Sequence, residues 1–444
     1  MPIAFAPVID LETATSDVFL FEGKLKIECA AFATVGDAKV FWRWLPRPNL
    51  NFHATFATPD IAKFMWGRIL NETAVATATI NGRQFDFAIS NLTTDELPYT
   101  ADGTLFENQS RIQEVPIERL QAHVPSFISY LGNRITDKSG RASSRGRAEA
   151  TVDGWHVILD RTFGSSEQRT IAEHRGYEIS HVVSVSRVDS STFSFGEVED
   201  FLDLLANSLS FMRGRWVAPL LVYGFAPNSP PMFLRKHFGR LKGFASTVSC
   251  VDDLSTDWFQ SILEGFHRRS NSPVWLDPLE HAIYWYVESN SDRSGGIEGA
   301  IILIQAALES LSWTYWTTDR GVVSASGFEK TPASDRISLL LHEARIPSEI
   351  PTECTSLIKI ARERGWSTGA TAICEIRNKL VHATPSNRET LKKIAIDAQI
   401  ECYTLGLHYL ELVILWLTGY DGKYLNRMRQ KPLRVQAIER VPWA

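Results

Sequence analysis

Short runs of β-branched and aromatic residues, broken by Gly, Pro, Asn or Asp, dominate the chain up to about residue 125. The runs at 18–21, 24–32, 39–45, 52–56, 73–80 and 85–89 read as strands. Asn81-Gly82, between the last two, has the composition of a two-residue hairpin turn. The pattern predicts an antiparallel sheet or sandwich, interrupted by one short helix near 59–69. Further on, 155–159 and 179–188 are again strand-like and lead into a helix at 196–212. Its Val198, Phe201, Leu204, Leu205, Leu209 and Met212 share one face. Strand-like 217–225 and a Pro-rich turn at 227–231 follow.

After about residue 255 the period changes to that of helices. Asp277-Pro278 offers a cap and first-turn start for a helix to about 289. In 296–316 the apolar residues Ile297, Ile301, Ile304, Leu308, Leu311 and Tyr315 recur at helical spacing. Segments 334–344, 353–363, 371–382 and 387–417 complete a bundle. Residues 138–147 (KSGRASSRGR) are basic, rich in Ser and Gly and without periodicity, so they read as an exposed loop or linker. The expected fold is α+β and multidomain. It has an N-terminal β-rich domain at 1–137, an α+β domain continuing it at 148–254, and a C-terminal all-α bundle at 255–444.

At 444 residues the chain exceeds what one hydrophobic core usually serves, in keeping with that division. A net charge of -5 argues against a generally basic polyanion binder, so nucleic-acid contact must come from a local patch. The five cysteines are scattered and form no C-x-x-C pair, which suits reduced thiols rather than a disulfide frame or zinc site. No metal or cofactor is suggested. Asp10, Glu12 and Asp17 and the lack of a basic-then-apolar leader speak against a secretory signal. The most apolar stretch, 405–420, contains His408 and Glu411 and is expected to be too short and too polar to span a bilayer. It reads as a buried helix, with His408 a satisfied core residue. The expectation is a soluble, cytoplasmic protein with no membrane partner. Trp42, Trp44 and Phe52 read as strand residues of the core.

Candidate chemistry lies in Arg377-Asn378-Lys379-Leu380-Val381-His382, near the end of an amphipathic helix and ahead of Pro385. An arginine supplies a permanent cation for phosphate, and a histidine can move a proton near neutral pH. These are the parts needed for RNA cleavage by 2′-OH attack, with His382 as proton-transfer group and Arg377 stabilising the phosphorane. Spacing alone is weak, because Arg169–His174, Arg175–His181, Arg47–His53 and Arg336–His342 match or nearly match it. Five residues on an ideal helix turn two side chains about 140° apart, so the helix must end between them or two copies must pair. Ile373, Ile376 and Leu380 should pack inward, with Arg377 at the flank of their face. Glu309 is a candidate to orient Arg377, and Lys379 to contact substrate. The tail residues Lys423, Arg427, Arg429, Lys431, Arg434 and Arg440 form a locally basic segment suited to RNA docking or to a dimer contact.

This constellation resembles the HEPN superfamily, whose ribonuclease members carry an R-x(4–6)-H motif, often with Asn after the Arg. Arg377-Asn378 and His382 match its x4 form. The helix ending Ala306-Ala307-Leu308-Glu309-Ser310-Leu311 resembles the helix preceding that motif in many bacterial members. Leu209-Ser210-Phe211 and Gly214-Arg215-Trp216, with a β-rich half before the bundle, resemble ApeA-type anti-phage HEPN proteins more loosely. The resemblance implies a dimer with a composite site and metal-independent endoribonuclease activity on RNA. It also implies a role in phage defence, with the N-terminal region sensing a phage-derived or other trigger. The competing expectation is a catalytically inactive HEPN dimerisation or RNA-binding scaffold.

Overall fold

A computed structural model describes residues 1–9, 17–29, 32–44, 48–62, 77–80, 83–107, 115–163, 176–245, 247–291, 296–382, 384–429 and 434–444. The fold is α+β, with a β-rich N-terminal region and a helical C-terminal region. In the first region β1 (Val18–Cys29), β2 (Phe32–Arg43), β3 (Asn49–Phe56), β4 (Thr77–Ile80), β5 (Arg83–Thr93) and β6 (Tyr99–Glu107) alternate inward and outward residues. Among the described residues these strands close into a barrel in the order β1-β2-β3-β6-β5-β4. The strands are antiparallel as expected, and the sheet closes on itself, since β1 pairs with both β2 and β4. Leu25, Ile27, Val40, Trp42, Leu50, Phe52 and Phe56 fill the interior, all fully buried. The expected turn at Asn81-Gly82 and most of the expected helix at 59–69 lie outside the described residues.

A seven-stranded antiparallel sheet follows, built from β7 (Arg119–Pro125), β8 (Asn133–Thr136), β9 (Ser143–Val152), β10 (Trp155–Arg161), β11 (Ile179–Arg187), β12 (Leu220–Phe225) and β13 (Met232–His237). Its order is β13-β12-β7-β11-β10-β9-β8, so it takes strands from both sides of the expected 137/148 break. The expected linker at 138–147 is therefore corrected in its second half, which enters β9. Asp153 (φ 49°) and Gly154 (φ 76°) form the two-residue β9–β10 turn, where both central residues must be left-handed. Helix α1 (Phe195–Arg213) covers one face of the sheet and joins it to the helical core.

The opposite face holds an extended segment, residues 2–8, through polar side chains of the sheet. Asp160 accepts the Phe5 N–H at 2.9 Å, and Arg147 donates to the Ile3 carbonyl at 3.0 Å. The Gln121 amide donates to the Ala6 carbonyl at 2.6 Å, and Nε2 of His123 accepts the Val8 N–H at 3.1 Å. Arg147 and Asp160 are themselves joined by two 2.7 Å bonds, which compensates the burial of both charges.

The helical region comprises α2 (Asp257–Ser270), α3 (Leu276–Ser289), α4 (Gly296–Trp313) with a π-helical extension Thr314–Asp319, α5 (Ala325–Glu329), α6 (Ala333–Glu343), α7 (Thr355–Arg364), α8 (Gly369–Val381), α9 (Pro385–Lys392) and α10 (Ile396–Leu417). Trp275, not Asp277, caps α3. The single helix expected at 387–417 is two, because α9 ends at Lys392 and Ala395 is extended (ψ 146°) before α10 begins. Helix α10 packs against α3, α4, α6, α7 and α8. It is long and apolar enough to cross a membrane, contrary to the expectation from its sequence. However, 72% of its apolar window is buried inside the protein, which makes it a core helix. A hairpin of β14 (Lys423–Leu425) and β15 (Ile438–Arg440) closes against Val251.

Candidate functional site

Helix α8 is built to stop at the candidate histidine. Thr368 caps its start, the hydroxyl accepting the Thr371 N–H at 3.1 Å. Ile373 and Ile376 are buried and Leu380 packs partly against the same core, as their spacing predicts. At the other end His382 leaves the helical conformation (φ -92°, ψ 74°) while its N–H still donates to Asn378 at 3.0 Å. Its carbonyl accepts the Thr384 N–H at 2.7 Å and the Asn387 side-chain amide at 2.6 Å. Thr384 in turn caps α9, with Pro385 in the first turn. The His382 backbone is thus held from two helices while the residue remains exposed.

Arg377 is half-buried at the flank of the apolar face. Among the described residues its Nη1 makes one long contact, 3.4 Å to Oδ1 of Asn378, and its buried Nε has no hydrogen-bond partner. It is not hydrogen-bonded to His382. Among the described residues Glu309, a candidate to orient Arg377, forms no ion pair with it. The Glu309 carboxylate accepts Nη2 of Arg336 at 2.7 Å and also the amide of Gln305. Lys379, a candidate substrate contact, forms an ion pair at 2.8 Å with Glu375 one turn earlier. Beneath Arg377 the buried Cys374 thiol is pushed up to about 12 by burial, with Glu309 adding to the rise and Arg377 opposing it.

The basic tail, read as suited to RNA docking or to a dimer contact, gives up Arg427 to the core. Arg427 is buried and grips Glu411, with Nε 2.7 Å from Oε2 and a second bond from Nη2 to Oε1. Tyr286 donates to the same carboxylate at 2.7 Å, and Asn290 accepts from Arg427 at 3.3 Å. Burial opposes the Arg427 charge, and Glu411 raises the guanidinium pKa overall. A carboxylate inside an apolar helix needs a buried cation, so Glu411 was the sequence signal for this role. Arg429 pairs with Glu439 at 2.9 Å and stays half-exposed. Lys431 and the side chain of Arg434 lie outside the described residues.

His408 is buried as expected but not satisfied: its Nδ1 has no hydrogen-bond partner and burial lowers its pKa to about 3. Of the decoy spacings, Arg47, Arg169, His174 and Arg175 are outside the described residues, His181 is buried in the sheet, and His53 pairs with Asp102 at 2.8 Å. Gly214-Arg215-Trp216 joins the sheet to the bundle. Gly214 is left-handed (φ 68°), and a Cβ there would lie 2.5 Å from Nδ2 of Asn290. Trp216 donates to Glu288 at 2.6 Å. The cysteines whose side chains are described are free and buried, in line with reduced thiols.

Chemically, the end of α8 offers an exposed imidazole on a fixed corner and a guanidinium with donors to spare. Residues 113–233 match the YopA central domain, and residues 272–438 match the YopA C-terminal domain. The first match runs from just before β7 into β13, and the second spans α3 to the last strand and contains the site. The chain is also 26% identical over 430 residues to a Bacillus subtilis (strain 168) protein described as SPbeta prophage-derived uncharacterized protein YopA. That alignment covers 96% of this chain and 94% of the relative. No solved structure matches.

Proposed function

We propose that this chain is a metal-independent HEPN endoribonuclease with Arg377, Asn378 and His382 at its catalytic site. The observation that carries the reading is the end of α8 at His382. Residues 377–381 stay helical and His382 departs only at its ψ of 74°, so about 140° still parts the pair within one chain. The exposed His382 on its fixed corner is read as meeting the Arg377 of a second copy. One histidine removes the 2′-OH proton, the oxygen attacks phosphorus, and a 2′,3′-cyclic phosphate forms as the P–O5′ bond breaks. The leaving oxygen takes a proton from a general acid, and Arg377 stabilises the charge on the phosphorane.

A single His382 per chain suits a homodimer, in which a second copy supplies the other proton-transfer group. Val381, beside His382, is exposed, as suits a face that another copy covers. The prophage origin in the relative's description accords with a role in contests between phages, such as anti-phage defence, with the barrel and sheet sensing the trigger. A second reading, an inactive dimerisation or RNA-binding scaffold, draws on the lack, among the described residues, of a hydrogen bond between Arg377 and His382. RNA cleavage in EDTA by wild type, Arg377→Ala and His382→Ala separates the two. Cleavage that persists in both variants rejects the site, and a wild type inactive on every RNA and trigger tried favours the scaffold.

A further inference from the structure

Helices α4, α6 and α8 pack against one another and bring Gln305, Glu309, Arg336 and Arg377 to one junction. Arg336 belongs to the Arg336–His342 spacing that by sequence alone is only a decoy. Yet it is the partner of Glu309, and it sits on the helix beside Arg377. Glu309 takes one Nη2 donor of its guanidinium, and the buried Nε has no hydrogen-bond partner, as is also true of Arg377. The Arg336 and Glu309 side chains are 20% and 23% exposed, so both are reachable from solvent. The charges do not cancel. Three cations, Arg336, Arg377 and Lys379, stand against two carboxylates, Glu309 and Glu375, which leaves one positive charge over. Burial raises the Cys374 thiol first, and Glu309, Arg377, Glu375 and Arg336 add smaller, opposing effects. A net positive junction on an acidic chain is where an RNA phosphate would settle.

We infer that Arg336 is a second phosphate-binding arginine of the Arg377 site, held in its working orientation by Glu309. This rests on the RNA-acting reading of the site but not on cleavage. A carboxylate that fixes one edge of the planar fork leaves its other donors oriented for a phosphate next to the one at Arg377.

The test measures binding of a single-stranded RNA to the full chain carrying His382→Ala, across a series of NaCl concentrations. Adding Arg336→Gln, which keeps the stem and one hydrogen bond to Glu309, is expected to weaken binding roughly tenfold. It also lowers the slope of log Kd against log salt by about 0.7, the value for one phosphate contact on a single strand. A purely structural role would not move that slope. Glu309→Gln is expected to weaken binding severalfold with the slope unchanged. If Arg336→Gln fails to fold, Arg336→Met decides, with the same fall in affinity and in slope expected, because it keeps an apolar stem and removes the charge. Unchanged affinity and slope in the variant that folds overturns the inference. RNA held with an Arg336-dependent slope but never cut by the chain with His382 intact would contradict the ribonuclease and leave this inference standing.

Discussion

The Glu309 carboxylate lies 2.7 Å from Nη2 of Arg336, and among the described residues it forms no ion pair with Arg377. Among the described residues no carboxylate forms an ion pair with Arg377, so its removal strands no counter-charge. Arg377→Ala is therefore expected to change folding stability by no more than about 0.5 kcal/mol while lowering cleavage about 10²–10³-fold. Thermal unfolding beside single-turnover cleavage reads both. A loss above about 2 kcal/mol in stability would return Arg377 to a structural role.

The corner after α8 should matter through His382. Asn387→Ala removes the 2.6 Å bond to the His382 carbonyl, and Thr384→Ala removes the cap of α9. Each is expected to cost about 1 kcal/mol of stability. Each should lower kcat more than it raises KM, because imidazole placement changes and phosphate binding does not. Equal effects on the two constants would speak against a positioning role.

Arg427 is predicted to act on the fold and not on RNA. Arg427→Ala strands the buried Glu411 carboxylate and should cost about 3–5 kcal/mol. Arg429→Ala, at a half-exposed pair, should cost about 0–1 kcal/mol. Denaturant melts of the two variants compare them directly. Near-equal stabilities would show that the buried pair has been misjudged.

Acid should destabilise the protein through its buried histidines. Burial lowers His123 to about 4, and His181 and His408 to about 3. An unfolded histidine takes up its proton near pH 6.5, so below that pH the unfolded chain binds more protons than the folded one. The stabilisation is therefore complete above about pH 6.5. It is lost as pH falls, at about 1.4 kcal/mol per pH unit per histidine, until the folded pKa is reached. His408→Phe removes one such contribution. Relative to wild type it should gain that amount per unit between about pH 6 and pH 4, read from paired thermal melts. A difference independent of pH would mean that His408 is already charged in the folded protein.

Much of the architecture was legible because period survives in sequence. The inward set Leu50, Phe52, Ala54 and Phe56 alternates, and the α8 face Ile373, Ile376 and Leu380 recurs at helical spacing. Closure of the barrel was not legible, since a strand alternates in the same way in a barrel and in a sandwich. What decides it is the long-range pairing of β1 with β4. Residues 143–147 looked like linker because Arg147 is a core residue only in the company of Asp160, thirteen positions on. The Asp153-Gly154 hairpin turn was the available signal. Arg427 was misplaced for the same reason: charge was read without its partner Glu411. Spacing and the following Asn378 drew attention to Arg377 and His382, but which cation Glu309 holds depends on how α4, α6 and α8 pack.

The most direct measurement is the chemistry of the RNA ends produced in EDTA by wild type and by His382→Ala. Attack by the 2′-OH predicts 5′-hydroxyl and 2′,3′-cyclic phosphate ends from wild type, with both lost in the variant. Products bearing 5′-phosphate and 3′-hydroxyl, or cyclic ends undiminished by His382→Ala, would contradict the assignment of this site.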